Sequence, residues 1–271
     1  MKKLKLLAAW LVAVLVFASC SEDSGEELDP MIFSGIEVSK EMTFTDETIE
    51  LTIDASGYSD VEITSNKSSQ IKFERIANGR YEISADESVY GKVYVALKDA
   101  EGNYSDDVKT VNVGFYKHGV QDGKVIEGIK IDVDKAEKIT KLLGEPLLVS
   151  ATDGNPYEFW SYPSKGISFG VVKSTDVVFY ISLYSSNYYV ITENGNVPYI
   201  DYPYDLPHGW RVNSSTMNSV IDELGQPNSK SSTEGSTLRS YRYDSLNSWV
   251  RFYSDTEDGY FGKIIKSWSM Y

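Results

Sequence analysis

The sequence predicts a multi-domain chain: an all-β sandwich followed by an α+β domain of two tandem helix-plus-antiparallel-meander repeats. Three observations predict it. Short runs with period-two alternation recur through residues 31–116. One helix-and-stop pattern then appears twice, 81 residues apart, within residues 119–271. Ahead of both lies a short apolar run that ends at the single cysteine of the chain.

The N-terminal residues 1–19 have the parts of an export signal. Lys2, Lys3 and Lys5 precede the apolar run Leu6 to Ala18, and small residues precede Cys20. That run is shorter than the roughly 20 apolar residues of a spanning helix. Phe17-Ala18-Ser19-Cys20 resembles a bacterial lipoprotein lipobox, which implies that Cys20 becomes a lipidated first residue. Residues 20–30, with Glu22, Asp23, Glu26 and Glu27, read as a polar acidic tether. Acidic residues directly after such a cysteine resemble the surface-export signal of Bacteroidetes lipoproteins. The resemblances imply an outer-membrane, lipid-anchored protein facing the cell surface.

In residues 31–116 the expected strands are Gly35–Ser39, Thr48–Asp54, Asp60–Ser65, Gln70–Arg75, Arg80–Ser84, Lys92–Lys98 and Lys109–Phe115. Ile49, Leu51 and Ile53 alternate with polar neighbours, as do Val93, Val95 and Leu97. Asn78-Gly79 is a strong hairpin signal, because both residues tolerate positive φ. Such a run of strands without a helical pattern predicts an antiparallel sandwich. The stretch Val95 to Ser105 resembles the last hairpin of bacterial immunoglobulin-like or fibronectin-like modules. No cysteine pair is present, so the antibody type is excluded. Asp99, Glu101, Asp106 and Asp107 read as a solvated hairpin end rather than a calcium site, and no cofactor or metal is expected.

Residues 119–271 divide into a first repeat (124–186), an aromatic linker (187–208) and a second repeat (209–271). Leu143-Gly144-Glu145-Pro146 matches Leu224-Gly225-Gln226-Pro227, and Trp160-Ser161-Tyr162 matches Tyr241-Arg242-Tyr243. Met217, Val220, Ile221 and Leu224 define one apolar helix face, as do Ala136, Ile139, Leu142 and Leu143. Asp134, and Ser214 or Ser215, are the expected N-caps. Gly144 and Gly225 followed by proline mark the helix ends. A helix, a Gly-x-Pro stop and an aromatic strand of the W-x-Y kind resemble the tandem modules of the β-lactamase inhibitory protein superfamily and the small outer-membrane assembly lipoproteins. That likeness implies a non-catalytic protein-binding role, with no contact residue to carry over.

Composition narrows the partners. The chain carries 26 Lys+Arg against 40 Asp+Glu, a net −14, so nucleic acid is a poor partner. The two histidines, His118 and His208, are far apart and each precedes glycine. HExxH, phosphate-loop and dinucleotide patterns are absent from the sequence, and no catalysis is expected. The membrane is expected as a partner through Cys20, with a protein as principal ligand and a glycan of a polysaccharide-uptake system as the alternative. The linker is the expected site. Stiffened by Pro198, Pro203 and Pro207, it is expected to present Tyr199, Tyr202 and Tyr204 as one exposed row, with Asp201 and Asp205 beside it to bond sugar hydroxyls. The competing expectation is that these rings plug the seam between the repeats.

Anchoring through Cys20 has a direct test. Cys20→Ala is expected to abolish labelling by a fatty-acid analogue and to release the protein from the membrane fraction.

Overall fold

The structure is a computed structural model that describes residues 30–121, 124–232, 236–254, 259 and 262–271. The signal segment and Cys20 lie outside the described residues. Among the described residues no helix is long and apolar enough to cross a membrane.

The first half contains β1 (Ile32–Val38), β2 (Met42–Phe44), β3 (Ile49–Ser56), β4 (Asp60–Ser65), β5 (Ile71–Ala77), β6 (Arg80–Ala85), β7 (Val89–Lys98) and β8 (Lys109–Tyr116). They pair as two four-stranded sheets, β1-β3-β6-β5 and β2-β8-β7-β4. Alternation dictates what each face buries: Val89, Gly91, Val93, Val95 and Leu97 point inward along β7 while their neighbours point out. Val89, Val93, Val95 and Leu97 form one apolar core with Ile49, Leu51, Ile53, Ile83 and Phe115. Each such side chain contributes about 1.5–3 kcal/mol when buried. The turn at Gly79 (φ +66°) requires glycine, because a Cβ there would lie 2.7 Å from the Ile53 carbonyl oxygen. β2, which pairs parallel to β8, is only three residues long and has no alternation to reveal it in the sequence.

The second half contains β9 (Val120–Gln121), β10 (Val125–Ile126), β11 (Ile129–Lys130), α1 (Ala136–Leu143), β12 (Leu148–Ala151), β13 (Tyr157–Tyr162), β14 (Ile167–Val172), β15 (Val178–Tyr184), β16 (Tyr189–Thr192) and β17 (Gly195–Pro198). It continues with α2 (Met217–Leu224), β18 (Ser229–Ser232), β19 (Leu238–Tyr243), β20 (Ser248–Tyr253) and β21 (Ser267–Met270).

Here the expected fold class is corrected. A sandwich followed by an α+β domain of two tandem helix-plus-meander repeats is not what the chain forms; it is mostly strand, with several sheets. β12 to β15 and β18 to β21 make one eight-stranded antiparallel sheet, in the order β12-β13-β14-β15-β21-β20-β19-β18. The seam is the β15–β21 pair, with Ile181 opposite Met270 and Leu183 opposite Trp268. Two physical reasons explain the outcome. The two α-helices among the described residues have only eight residues each, a length of about 12 Å that is marginal by itself and covers little sheet. A meander standing alone would also leave the backbone of its last strand unpaired, and β15 and β21 satisfy one another.

The helix starts differ from expectation as well. Lys135 and Thr216 are the N-cap residues, and neither caps through its side chain. The free N–H groups go to distant carbonyls instead: Ala136 donates to Asp176 and Met217 to Lys263. Asp134 and Ser215 accept from the backbone N–H groups of Lys130 and Arg211, closing the turn ahead of each helix. One face of the sheet packs against the helices in a core that holds Ile139, Phe169, Ile181, Met217, Val220, Tyr241, Phe252 and Trp268.

The two halves meet at His118. Its ring lies flat between Phe44 (3.8 Å between centroids) and Tyr204 (4.2 Å). Nδ1 is 2.6 Å from the carboxylate of Glu127, and Nε2 is 3.3 Å from Asp46. Glu127 is buried and adopts φ +51°, an uncommon conformation for a non-glycine residue. That conformation places its carboxylate to accept from the Gly119 N–H at 3.0 Å and from the Tyr202 hydroxyl. Lys141 bonds Glu41 across the same junction at 2.7 Å.

Burial opposes charge on His118, but the hydrogen bond to Glu127 and the charges of Glu127, Asp46 and Glu47 outweigh it, so the imidazole titrates above its ordinary value of 6.5. A raised value in the folded state means that protonation stabilises the junction. The contribution is complete below about pH 6.5 and disappears as pH rises through the raised value. The melting temperature of the mature chain is therefore expected to carry a downward step above about pH 6.5 that His118→Gln removes. Melting curves across that range check it.

Candidate functional site

The eight-stranded sheet has a second face, turned away from the helices. Side chains alternate along each strand, so the register that buries Phe169 and Ile181 on one side sends Ser168 and Ser182 to the other. Cross-strand pairing aligns Ser161, Ser168, Ser182 and Ser269 in one row over β13, β14, β15 and β21. The adjacent row holds Tyr184, Ser267, Arg251 and Ser240. Small side chains make a low floor and tyrosines make the walls. The resulting cavity, about 360 Å³, is lined by Phe159, Tyr180, Tyr184, Tyr188, Tyr189 and Tyr199 around Ser161, Ser168 and Arg251, with Val190 and Leu238 at its edges.

The hairpin β16–β17 supplies one side. Tyr188 and Tyr199 sit at its base, joined by the Tyr199 N–H to Tyr188 carbonyl bond at 2.9 Å, and both rings pack on Tyr184 at 5.1 and 4.4 Å. Past them Tyr189 is 54% exposed. Tyr157, Phe179 and Tyr180 extend the aromatic surface on the far side. Gly170 permits this, since a Cβ there would meet the Phe179 ring at 2.8 Å.

Arg251 is the charge of the cavity. Nη1 donates to Ser269 at 2.6 Å, and Ser269 shares a 2.6 Å hydrogen bond with Ser182, which bonds the Tyr180 hydroxyl at 2.7 Å. Among the described residues no carboxylate lies within ion-pair distance of the guanidinium. Burial works against its charge, but the Tyr180 phenol beside it more than compensates and holds Arg251 cationic. The same pairing lowers the Tyr180 phenol against the effect of burial. Burial pushes Tyr188 up to about 12. Its hydroxyl faces that of Ser267, yet neither completes a hydrogen bond of ordinary geometry. A buried hydroxyl without a partner, that of Tyr188, and a cation without a counter-ion among the described residues thus border one space.

The residues singled out from the linker are placed otherwise. Tyr199 and Tyr202 are only 5% and 3% exposed, so the exposed row is not formed. They stand three positions apart, which in extended backbone means opposite faces. Tyr199 goes to the cavity and Tyr202 to the helix-side core, where it bonds Glu127. Tyr204 is half-buried against His118. Asp201 accepts from the Ser186 N–H at 2.7 Å and from Asn213 at 3.0 Å, and Asp205 pairs with Arg211, so both carboxylates are engaged within the fold. Of the five, Tyr199 alone reaches the candidate site. The cavity itself draws on strands far apart in sequence. Its one trace there is the Ser-x-Ser spacing of Ser267 and Ser269 beside Trp268.

Other chemistry is absorbed by structure. Both nitrogens and both faces of His118 are occupied, and His208 lies against Glu223 and Trp210. Asp99 accepts the N–H groups of Glu101 and Asn103 and organises its own loop.

No family model matches the chain, and no curated protein matches it. Among solved structures it is similar to a DUF4309 family protein (YjgB) from Bacillus subtilis, at 14% identity and TM-score 0.33, covering 56% of this chain and 86% of that one. It is also similar to an extracellular protein containing an SCP domain from Bacillus anthracis, at 14% identity and TM-score 0.32. That match covers 57% of this chain and 48% of the other.

Removing a buried ring leaves a cavity. Tyr202→Ala is expected to cost about 3–5 kcal/mol of stability, read as a large fall in the melting temperature. Tyr189→Ala is expected to change stability by no more than about 0.5 kcal/mol.

Proposed function

We propose that this chain is an exported, lipid-anchored, non-catalytic binding protein whose ligand is a glycan held on the outer face of the eight-stranded sheet. The observation that carries the reading is the cavity of about 360 Å³ with tyrosine walls and a serine floor. Its volume falls in the range of small-ligand sites. Tyrosine faces stack on the apolar C–H face of a sugar ring, and their hydroxyl tips remain available for polar contacts. Serine hydroxyls both donate and accept, which suits sugar hydroxyls. A nucleophile activated by an adjacent base is not among the lining residues, which supports binding without turnover. Export and anchoring rest on the signal-like segment and Cys20, and an outward-facing position on the outer membrane follows from the acidic tether.

One observation favours a protein partner as the second reading. Ile191, at the tip of the hairpin, is 72% exposed beside Tyr189, an apolar projection suited to another protein's groove.

A glycan array and a pull-down from the native envelope, run on the mature chain and on Tyr189→Ala, separate the two. Sugar binding that weakens in the variant by the roughly 1–3 kcal/mol of one stacked ring is the expected result. Capture of a protein, lost with Ile191→Ser and independent of sugar, would replace the glycan reading with the second.

A further inference from the structure

We infer that the ligand of this cavity carries a carboxylate, as an acidic sugar does, and that Arg251 receives it; the inference rests on the glycan reading above. The geometry points there by elimination of what a neutral site needs. A purely neutral sugar is served by hydroxyls and aromatic faces, and a half-buried arginine would add desolvation cost without return. Arg251 nevertheless stands in the floor, fixed by its 2.6 Å bond to Ser269 and by Tyr180, with no carboxylate of the described chain to neutralise it. Lysine, aspartate and glutamate are missing from the lining. The site thus offers one positive charge, which matches one negative charge on the ligand.

The form of the cation selects the anion. A guanidinium is a planar fork that pairs with a planar carboxylate through two parallel bonds. Ser269 holds Nη1 from one side, and the row Tyr184, Ser267, Arg251 keeps the fork beside the aromatic wall on which a ring would stack. The Ser161 and Ser168 hydroxyls of the floor lie on the same face and supply further polar contacts for the ring hydroxyls. The net charge of −14 opposes adventitious capture of anions. Retention therefore depends on the local fork and not on a general positive field.

Calorimetric titration of the mature chain with pairs that differ only at the acid group tests this. Trigalacturonate is compared with its methyl ester and sialyllactose with lactose, alongside a set of neutral oligosaccharides, for the wild type, Arg251→Lys and Arg251→Met. The expected result is that an acidic member binds at least about tenfold tighter than its neutral counterpart. Arg251→Met should remove that difference, and Arg251→Lys, which keeps the charge but not the fork, should restore only part of it. Far- and near-ultraviolet dichroism of the variants shows that they remain folded, and the wild-type comparison is independent of them. Equal binding of acid and ester, indifferent to Arg251, overturns the carboxylate claim and leaves a glycan site. Failure of every sugar, neutral and acidic, overturns the glycan reading and this inference together.

Discussion

The pairing of β15 with β21 is the contact on which the second half of the molecule depends. It joins two runs of strands whose facing residues, such as Ser182 and Ser269, are 87 positions apart in the chain. Without it each run would end in a row of unpaired N–H and C=O groups, and neither eight-residue helix has the apolar area to compensate. With it, Trp268 and Met270 enter the same core as Ile181 and Leu183, and both helices share one sheet. Trp268 is anchored further by its indole N–H, which donates to Ser248 at 3.0 Å.

The same pairing sets up the outer face. Strand register is a two-sided constraint: a shift of one residue would exchange the core and solvent faces of a strand. Because Leu183 must face Trp268 inside, Ser182 must face Ser269 outside. Arg251 reaches Ser269 only because β20 and β21 are neighbours in that register. The cavity is thus a consequence of core packing. Its polar groups are held by strands rather than by loops, which leaves little to be organised when a ligand arrives. The His118 junction stands on the opposite side of the sheet's chemistry. There a buried carboxylate, a histidine between two rings and the Tyr202 hydroxyl tie the two halves together.

Much of the first half was legible in the sequence because period-two alternation reports directly which side chains a strand buries. Ile49, Leu51, Ile53, Val93, Val95 and Leu97 all lie in the core. In the second half apolar periodicity located Val220 and Ile221 as buried, but periodicity is a local quantity and cannot tell which strand edges will meet. That is why separate repeats were expected where one sheet forms. The linker tyrosines show a related limit. The three-position spacing of Tyr199 and Tyr202 already spoke against one shared row, since it sends them to opposite sides in extended backbone, and abundance of tyrosine says nothing of exposure. Arg251 left no local signal at all. It stands among Val250, Phe252 and Trp249, and only the neighbouring strands give it the serine and phenol partners Ser269 and Tyr180.

Native-state hydrogen exchange on the mature chain tests the single-sheet architecture most directly, because the amides of β15 and β21 report the seam that makes two strand runs into one. If the sheet is one cooperative unit, the amides of Ile181, Leu183, Trp268 and Met270 exchange only through global opening of the second half, with one common free energy. Two separate free energies, one for β12 to β15 and another for β18 to β20 with the β21 amides exchanging early, would contradict it.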